Sequence, residues 1–510
     1  MTDPISAAWD QLEALEHRSL GDLFASDPER VRGLSHRLEA PLGELGTVGI
    51  LVDFSKTHLD DAVLEAFEAL AQACEFDSAR EALFSGGIVN PTENRSASHA
   101  ALRGTGPEAE VEEAEALIAR MGMLVEAIQK GALGEVKHLI HIGIGGSALG
   151  PALAVDALTR DLKLVDCHVV SNIDGLALEA ACAACDPATT LIAVASKTFT
   201  TTETMTNAKS ALKWLADSGV ADPSGRVIAL TANPDRAVAW GVDETRILPF
   251  PESVGGRYSL WSSIGFPIAL AAGMEDFRAL LAGAKAVDTH FREAEGRANL
   301  PLMAAFTDQY YCALRGCQSR AVFAYDERLR LFPDYLQQLE MESNGKCVTN
   351  SGEPVTRSTA PVTWGGVGTD AQHAVFQLLH QGTQLVPVDF IASIAPGDML
   401  DPAHHKALLM NCLAQGAALM AGKPSDDPAR AYPGDRPSTM FLVDDLDAAT
   451  LGALIAFHEH RTFANAVLMQ INPFDQFGVE LGKAIAKQID AGEGSFDPST
   501  TALMEAAGLD

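Results

Sequence analysis

Along most of this chain, short blocks of consecutive apolar residues alternate with longer stretches in which apolar positions recur at helical spacing. The blocks predict buried strands at His138–Ile142, Leu164–Val170, Thr190–Ala195, Val227–Leu230 and Thr245–Phe250, and again at Ala321–Tyr325, Leu385–Phe390 and Met440–Val443. The stretches between and beyond them predict helices. These include Glu112–Lys130, with Leu117, Met121, Leu124 and Ile128 on one side, and Leu176–Cys185, Thr202–Leu215, Phe277–Ala286 and Leu300–Ala313. Phe332–Met341, Ala374–Leu379, Ala448–Phe457 and Leu481–Ile489 follow, and further helices are expected from about Ser147 and, shorter, at His99–Arg103. Such a βαβ series buries its apolar faces as a mostly parallel sheet covered by helices on both sides. Residues 1–80 read instead as helices with polar breaks, as in Leu59–Ala73, where Leu59, Val63, Leu64, Phe67 and Leu70 recur at helical spacing. Gly104–Glu110 is a polar connector that marks a boundary. A chain of 510 residues exceeds what one hydrophobic core usually serves. The expected organisation is a helical segment over 1–104, an α/β domain over 105–265 and a second α/β domain over 266–510.

Composition narrows the range of functions. With 37 Lys and Arg against 68 Asp and Glu, the formal net charge is −31, which argues against nonspecific binding to nucleic acid or to an anionic membrane. An anionic substrate would therefore need local cations or backbone N–H donors against that field. No charge-free apolar run reaches membrane-spanning length, and Met1-Thr2-Asp3-Pro4 lacks the basic and apolar regions of a secretory signal. Eight cysteines are scattered along the chain. Cys182 and Cys185 form a C-x-x-C pair in an alanine-rich helical stretch with no second pair nearby, so helix packing is their expected role. These features fit a reducing cytoplasm.

Polar clusters interrupt the apolar pattern at the positions where chemistry is expected. The strand His138–Ile142 runs into Gly143-Ile144-Gly145-Gly146-Ser147, a turn whose glycines expose backbone N–H groups at a helix start, where an anion is favoured. A dinucleotide fingerprint is the rival reading, since Gly143-x-Gly145-x-x-Ala148 fits its loose form. The next strand, however, ends in Val169-Val170-Ser171-Asn172 without the ribose-binding acid. The strand Thr190–Ala195 is followed by Ser196-Lys197-Thr198, with Thr200 and Thr201, a junction richer in hydroxyls than simple capping requires. Both junctions follow strands of one expected sheet and could converge on one phosphate.

Arg257 sits in the Gly-rich turn Val254-Gly255-Gly256-Arg257, suited to stabilising developing negative charge or else a surface position. Glu342, before Ser343-Asn344-Gly345-Lys346, has the character of a general base or of a solvated helix end. His373 suits acid–base work. Its separation from His380 and the adjacency of His404 and His405 do not give the i,i+4 spacing of a helical metal site. Taken alone, Gln476 and Lys483 are unremarkable loop and helix residues.

Together these residues resemble the glucose-6-phosphate isomerase family over nearly the full chain. Two stretches resemble its signatures: Gly255-Gly256-Arg257-Tyr258-Ser259 with Leu260-Trp261-Ser262, and Gln476-Phe477-Gly478-Val479-Glu480-Leu481-Gly482-Lys483. Gly143–Gly150, Ser196–Thr201, Met341–Lys346 and Gln372-His373 also match in order. The resemblance implies two sugar-isomerase (SIS-type) three-layer αβα sandwich domains with mostly parallel sheets, plus the N-terminal helical segment. It implies reversible isomerisation of glucose 6-phosphate to fructose 6-phosphate, with no cofactor and no metal, in a cytoplasmic homodimer. Gly146, Ser147, Ser196, Lys197, Thr198 and Thr201 fall at the matching phosphate-binding loops, and Gln476 at a substrate-contacting glutamine. Glu342 matches the base that moves a proton between C2 and C1, and Arg257 the residue that stabilises the cis-enediolate. His373 and Lys483 match groups associated with ring opening, the histidine being supplied across the dimer interface. Departures from the family pattern are Gly366 for glutamate, Ala371 for glycine, Phe477 for tryptophan and Thr202 for glutamine. None removes an implied proton carrier.

Overall fold

A computed structural model of the chain describes residues 3–509. The chain forms two compact units, Met1–Pro473 and Phe474–Asp510.

Among the described residues, the first unit contains two sheets. Its strands are Ser35–Pro41 (β1), Thr47–Asp53 (β2), His138–Ile142 (β3), Asp166–Val170 (β4), Thr190–Ala195 (β5), Val227–Thr231 (β6) and Ile247–Pro249 (β7). Ser319–Tyr325 (β8), Val362–Val367 (β9), Val388–Ser393 (β10) and Ser438–Val443 (β11) follow. One sheet has the order β4-β3-β5-β6-β7 and is parallel throughout. Its central strand β5 is buried at every residue, as a parallel strand covered on both faces must be. The other sheet has the order β1-β2-β11-β10-β8-β9 and is mixed. Strands β11, β10, β8 and β9 are parallel, whereas β2 runs antiparallel to both β1 and β11.

This arrangement corrects the expected fold. The α/β character holds, but two SIS-type sandwich domains with an appended helical segment are not what forms. Residues 35–53 are a β-hairpin rather than helix, and through β2 they extend the sheet of the C-terminal strands. Gly43 and Gly46, at φ 66° and 90°, close the connection between β1 and β2. Both sheets belong to the single unit Met1–Pro473.

The helix Ala448–Leu468 runs through the interior of that unit, with almost every residue buried. It crosses the helix Met274–Glu293 at glycines. A Cβ on Gly283 would lie 1.8 Å from the Ala449 carbonyl oxygen, and one on Gly452 would lie 2.0 Å from that of Leu280. Its charged residues are paired. Arg461 bonds Asp308 at 2.6 Å and Asp389 at 2.7 Å, and Arg320 of β8 bonds the same Asp308 at 2.8 Å and also Glu340.

This buried network sets the register of the helix Phe332–Asn344. Glu340 points toward the sheet, where Arg320 and the Thr363 hydroxyl (2.6 Å) hold it. Burial would raise its pKa, but the adjacent Arg320 charge and its hydrogen bonds keep the carboxyl well below the usual carboxylate range. Two residues on, Glu342 is turned about 200° around the helix, onto the opposite face. Among the described residues, no helix is long and apolar enough to cross a membrane.

Candidate active site

The turn after β3 is held from beneath by a buried histidine. His141 lies 2.7 Å through Nε2 from the Ser147 carbonyl oxygen. A carbonyl only accepts, so the imidazole donates, and burial pulls its pKa down to about 4, leaving it neutral. Gly145 has φ 57°, and a Cβ there would lie 2.9 Å from the Gln338 side-chain nitrogen. A Cβ on Gly146 would lie 2.1 Å from the Gly256 carbonyl oxygen and 2.5 Å from the Arg257 nitrogen. The glycines thus let the turn pack directly against the backbone that carries Arg257. Gly146→Ala must push these segments apart and should cost about 1–3 kcal/mol of stability, read by denaturant unfolding, with a parallel loss of activity. Gly256→Ala is the control, because a Cβ there meets nothing within 4 Å.

The second junction leads from β5 into the helix Thr202–Asp217. Thr201 occupies the N-cap position without capping through its side chain; its hydroxyl lies 3.0 Å from that of Ser196. The first-turn N–H groups are therefore left without a side-chain cap, an arrangement that favours an anion. Thr198 and Thr200 pair their hydroxyls at 2.8 Å. Between them the buried Phe199 is held at φ 54°, in the left-handed region, and packs on Trp240. Strain of this kind is characteristic of ligand-holding turns. Lys197 donates to the Val254 carbonyl at 3.0 Å, which ties this junction to the Arg257 turn. Burial, with the Arg95 charge nearby, lowers its pKa.

Arg257 is buried and uses its whole guanidinium. Nε donates to Ser343 Oγ at 2.7 Å, Nη1 to Glu342 Oε1 at 2.8 Å, and Nη2 to the Pro473 carbonyl. Tyr258 lies 3.1 Å from the same Ser343 hydroxyl. The other oxygen of Glu342 accepts from Gln338 Nε2 at 2.8 Å, and 18% of the Glu342 side chain remains exposed. Gln338 was not singled out from the sequence, although it precedes Glu342 by four residues on one helical face, a spacing that signals contact. It connects the carboxylate to the Gly145 turn. Lys346 bonds the Glu342 backbone carbonyl at 3.2 Å.

The structure therefore brings together Gly146, Ser147, Lys197, Arg257 and Glu342 through adjoining turns, with Ser196, Thr198 and Thr201 on the Lys197 junction. His373 is exposed on the helix Gly368–Gln381 and is not bonded to the Arg257–Glu342 pair. Gln476 and Lys483 belong to the second unit, where Lys483 is exposed on the helix Glu480–Asp490.

The phosphoglucose isomerase family profile matches residues 53–504. The chain belongs to the phosphoglucose isomerase family. It is 70% identical to a glucose-6-phosphate isomerase of Erythrobacter litoralis, over the whole of both chains. It is 67% identical to that of Novosphingobium aromaticivorans, over 98% of each. The crystal structure of a glucose-6-phosphate isomerase from Chlamydia trachomatis superposes with a TM-score of 0.88 over 99% of each chain, at 29% identity. The phosphoglucose isomerase match thus spans both glycine-rich turns, the Glu342 helix and the first helix of the second unit.

Proposed function

We propose that the Arg257–Glu342 pair and the two adjoining turns carry out the reversible isomerisation of glucose 6-phosphate and fructose 6-phosphate. The observation that carries this assignment is the Glu342 carboxylate, partly open to solvent, fixed by Arg257 and by Gln338 beside the Gly145 turn. The phosphate sits among the Ser147 turn, the Ser196–Thr201 junction and Lys197. Ring opening exposes the C1 carbonyl, which acidifies the C2 proton. Glu342 removes that proton as a general base and returns it at C1. Arg257 stabilises the negative oxygen of the enediolate formed between these steps. His373, exposed on its own protomer, serves ring opening in the site of a second copy, so the active form is a homodimer. Gln476 contacts the sugar and Lys483 assists ring opening. Eight free cysteines support a reducing, cytoplasmic setting.

The test is turnover of glucose 6-phosphate by purified protein without added metal or nicotinamide, the coupling enzyme being added only after quenching. Ketose formation with solvent deuterium appearing in the transferred position supports the assignment; absence of both removes it. A pH series probes the phosphate grip. Lys197 loses its charge at lower pH than an exposed lysine, so KM should rise on the alkaline side before ordinary lysines titrate. In Lys197→Arg, where the charge persists, that alkaline rise should disappear.

A further inference from the structure

Two imidazole rings and a thiol gather near the amino end of β3, where it pairs with β4. His138 opens β3, and in the parallel pairing it stands opposite Asp166, while Ile140 stands opposite His168 of β4. His138, Asp166 and His168 therefore share one face of two neighbouring strands. The helix Gly175–Ala184 packs on that face and delivers Cys185 from its C-terminal end, into the same core as Ile140 and Val170.

One ring nitrogen of each histidine and the Cys185 sulfur all lie within 4.8 Å of one another. His138 Nδ1 and His168 Nε2 are both shielded from solvent without a hydrogen-bond partner. Buried polar nitrogens are normally satisfied, so two orphans beside a free thiol call for a common partner. Asp166 Oδ2 lies 3.9 Å from His168 Nε2, at the margin of the group.

We propose that His138, His168 and Cys185 bind a zinc-type divalent cation, with Asp166 or a water as the fourth ligand. Imidazole and thiolate donors suit zinc and exclude magnesium and calcium, which take oxygen. In tetrahedral zinc geometry the donors stand roughly 3.5 Å apart, so small side-chain rotations would close the group. Binding ionises the Cys185 thiol: its proton leaves to solvent and the thiolate sulfur donates its electron pair to the metal. The C-x-x-C spacing alone gave no such indication, because Cys182 is not part of the group and the histidines lie well before Cys185 in sequence, on β3 and β4. The site lies at the amino end of β3, about 17 Å of strand away from the turn at its carboxyl end. Its role is to clamp β3, β4 and the covering helix together, apart from proton transfer.

The test uses the full-length protein freed of metal with a chelator and titrated with Co²⁺. Saturable binding with a thiolate-to-cobalt charge-transfer band, displaced by Zn²⁺, is expected. Cys185→Ser should lose the band, His168→Gln should weaken binding, and Cys347→Ser, which alters an exposed thiol, should leave it unchanged. Among the described residues, the other group of potential ligands, His17, His58 and Asp435, has no thiol and cannot give the band. Zn²⁺ should raise the unfolding temperature of the wild type but not of His168→Gln. That second readout decides the matter should Cys185→Ser fail to fold. No saturable band, or a band that survives Cys185→Ser, overturns the proposal.

Discussion

Glu342→Gln is expected to lower turnover by roughly 10³- to 10⁴-fold, the upper part of the range for a general base. That corresponds to about 4–5.5 kcal/mol of transition-state stabilisation. The substitution keeps the size of the side chain. Its amide oxygen can still accept from Arg257 Nη1, and Gln338 can turn its own amide to present an oxygen where it now donates. The turns proposed to hold the phosphate lie on other elements and are untouched, so affinity for a non-reactive sugar phosphate should be little changed. What the variant lacks is a group able to hold the C2 proton. Exchange of that proton with deuterium in the solvent should therefore disappear along with isomerisation. Near-wild-type turnover, or exchange that persists while isomerisation fails, would take the base role away from Glu342.

The parallel core was readable because its strands are continuous apolar runs. His138–Ile142 and Thr190–Ala195 form with the expected limits, since no other element accommodates so short and apolar a block between polar breaks. The hairpin of β1 and β2 was not readable. Ser35–Pro41 is polar and partly exposed, and its strand character comes from pairing with β2, whose other edge is completed by β11, far along the chain. The strand β9 was hidden for another reason. Gly365 weakens any strand pattern, yet a Cβ there would lie 1.8 Å from the Val322 carbonyl oxygen, so close packing on β8 demands glycine.

The helix Ala448–Leu468 extends well past the expected end at Phe457. The run His458-Glu459-His460-Arg461 is wholly polar or charged, yet all four residues are buried. His460 meets Asp288 at 2.7 Å, Glu459 accepts from Trp261 at 2.9 Å, and Arg461 meets Asp308 and Asp389. Each partner is remote in sequence, so no local pattern announces the pairing. The site shows the same division. Single turns were legible as motifs, but the helix expected to end at Met341 continues to Asn344 and carries Glu342 within it. The contact of Gly146 with Gly256, and the role of Gln338 between Gly145 and Glu342, depend on how separate elements pack.

Arg257→Lys is expected to lower kcat by about 10²- to 10³-fold, or roughly 2.7–4 kcal/mol, the scale of losing a preorganised donor to a developing oxyanion. The positive charge is retained, so the loss would be one of geometry. The guanidinium holds Ser343, Glu342 and the Pro473 carbonyl at once, with its plane fixed by all three. An ammonium group on a flexible stem cannot span those partners, and whichever it keeps, it no longer faces substrate in a set direction. Ser343 retains its contact with Tyr258, which limits structural damage and keeps the variant testable. If Arg257 stabilises the enediolate, solvent exchange and isomerisation should fall together, with kcat reduced far more than KM is raised. A rise in KM with kcat preserved would instead make Arg257 a ground-state binding residue. Glu342 would then need another source of charge to balance the intermediate.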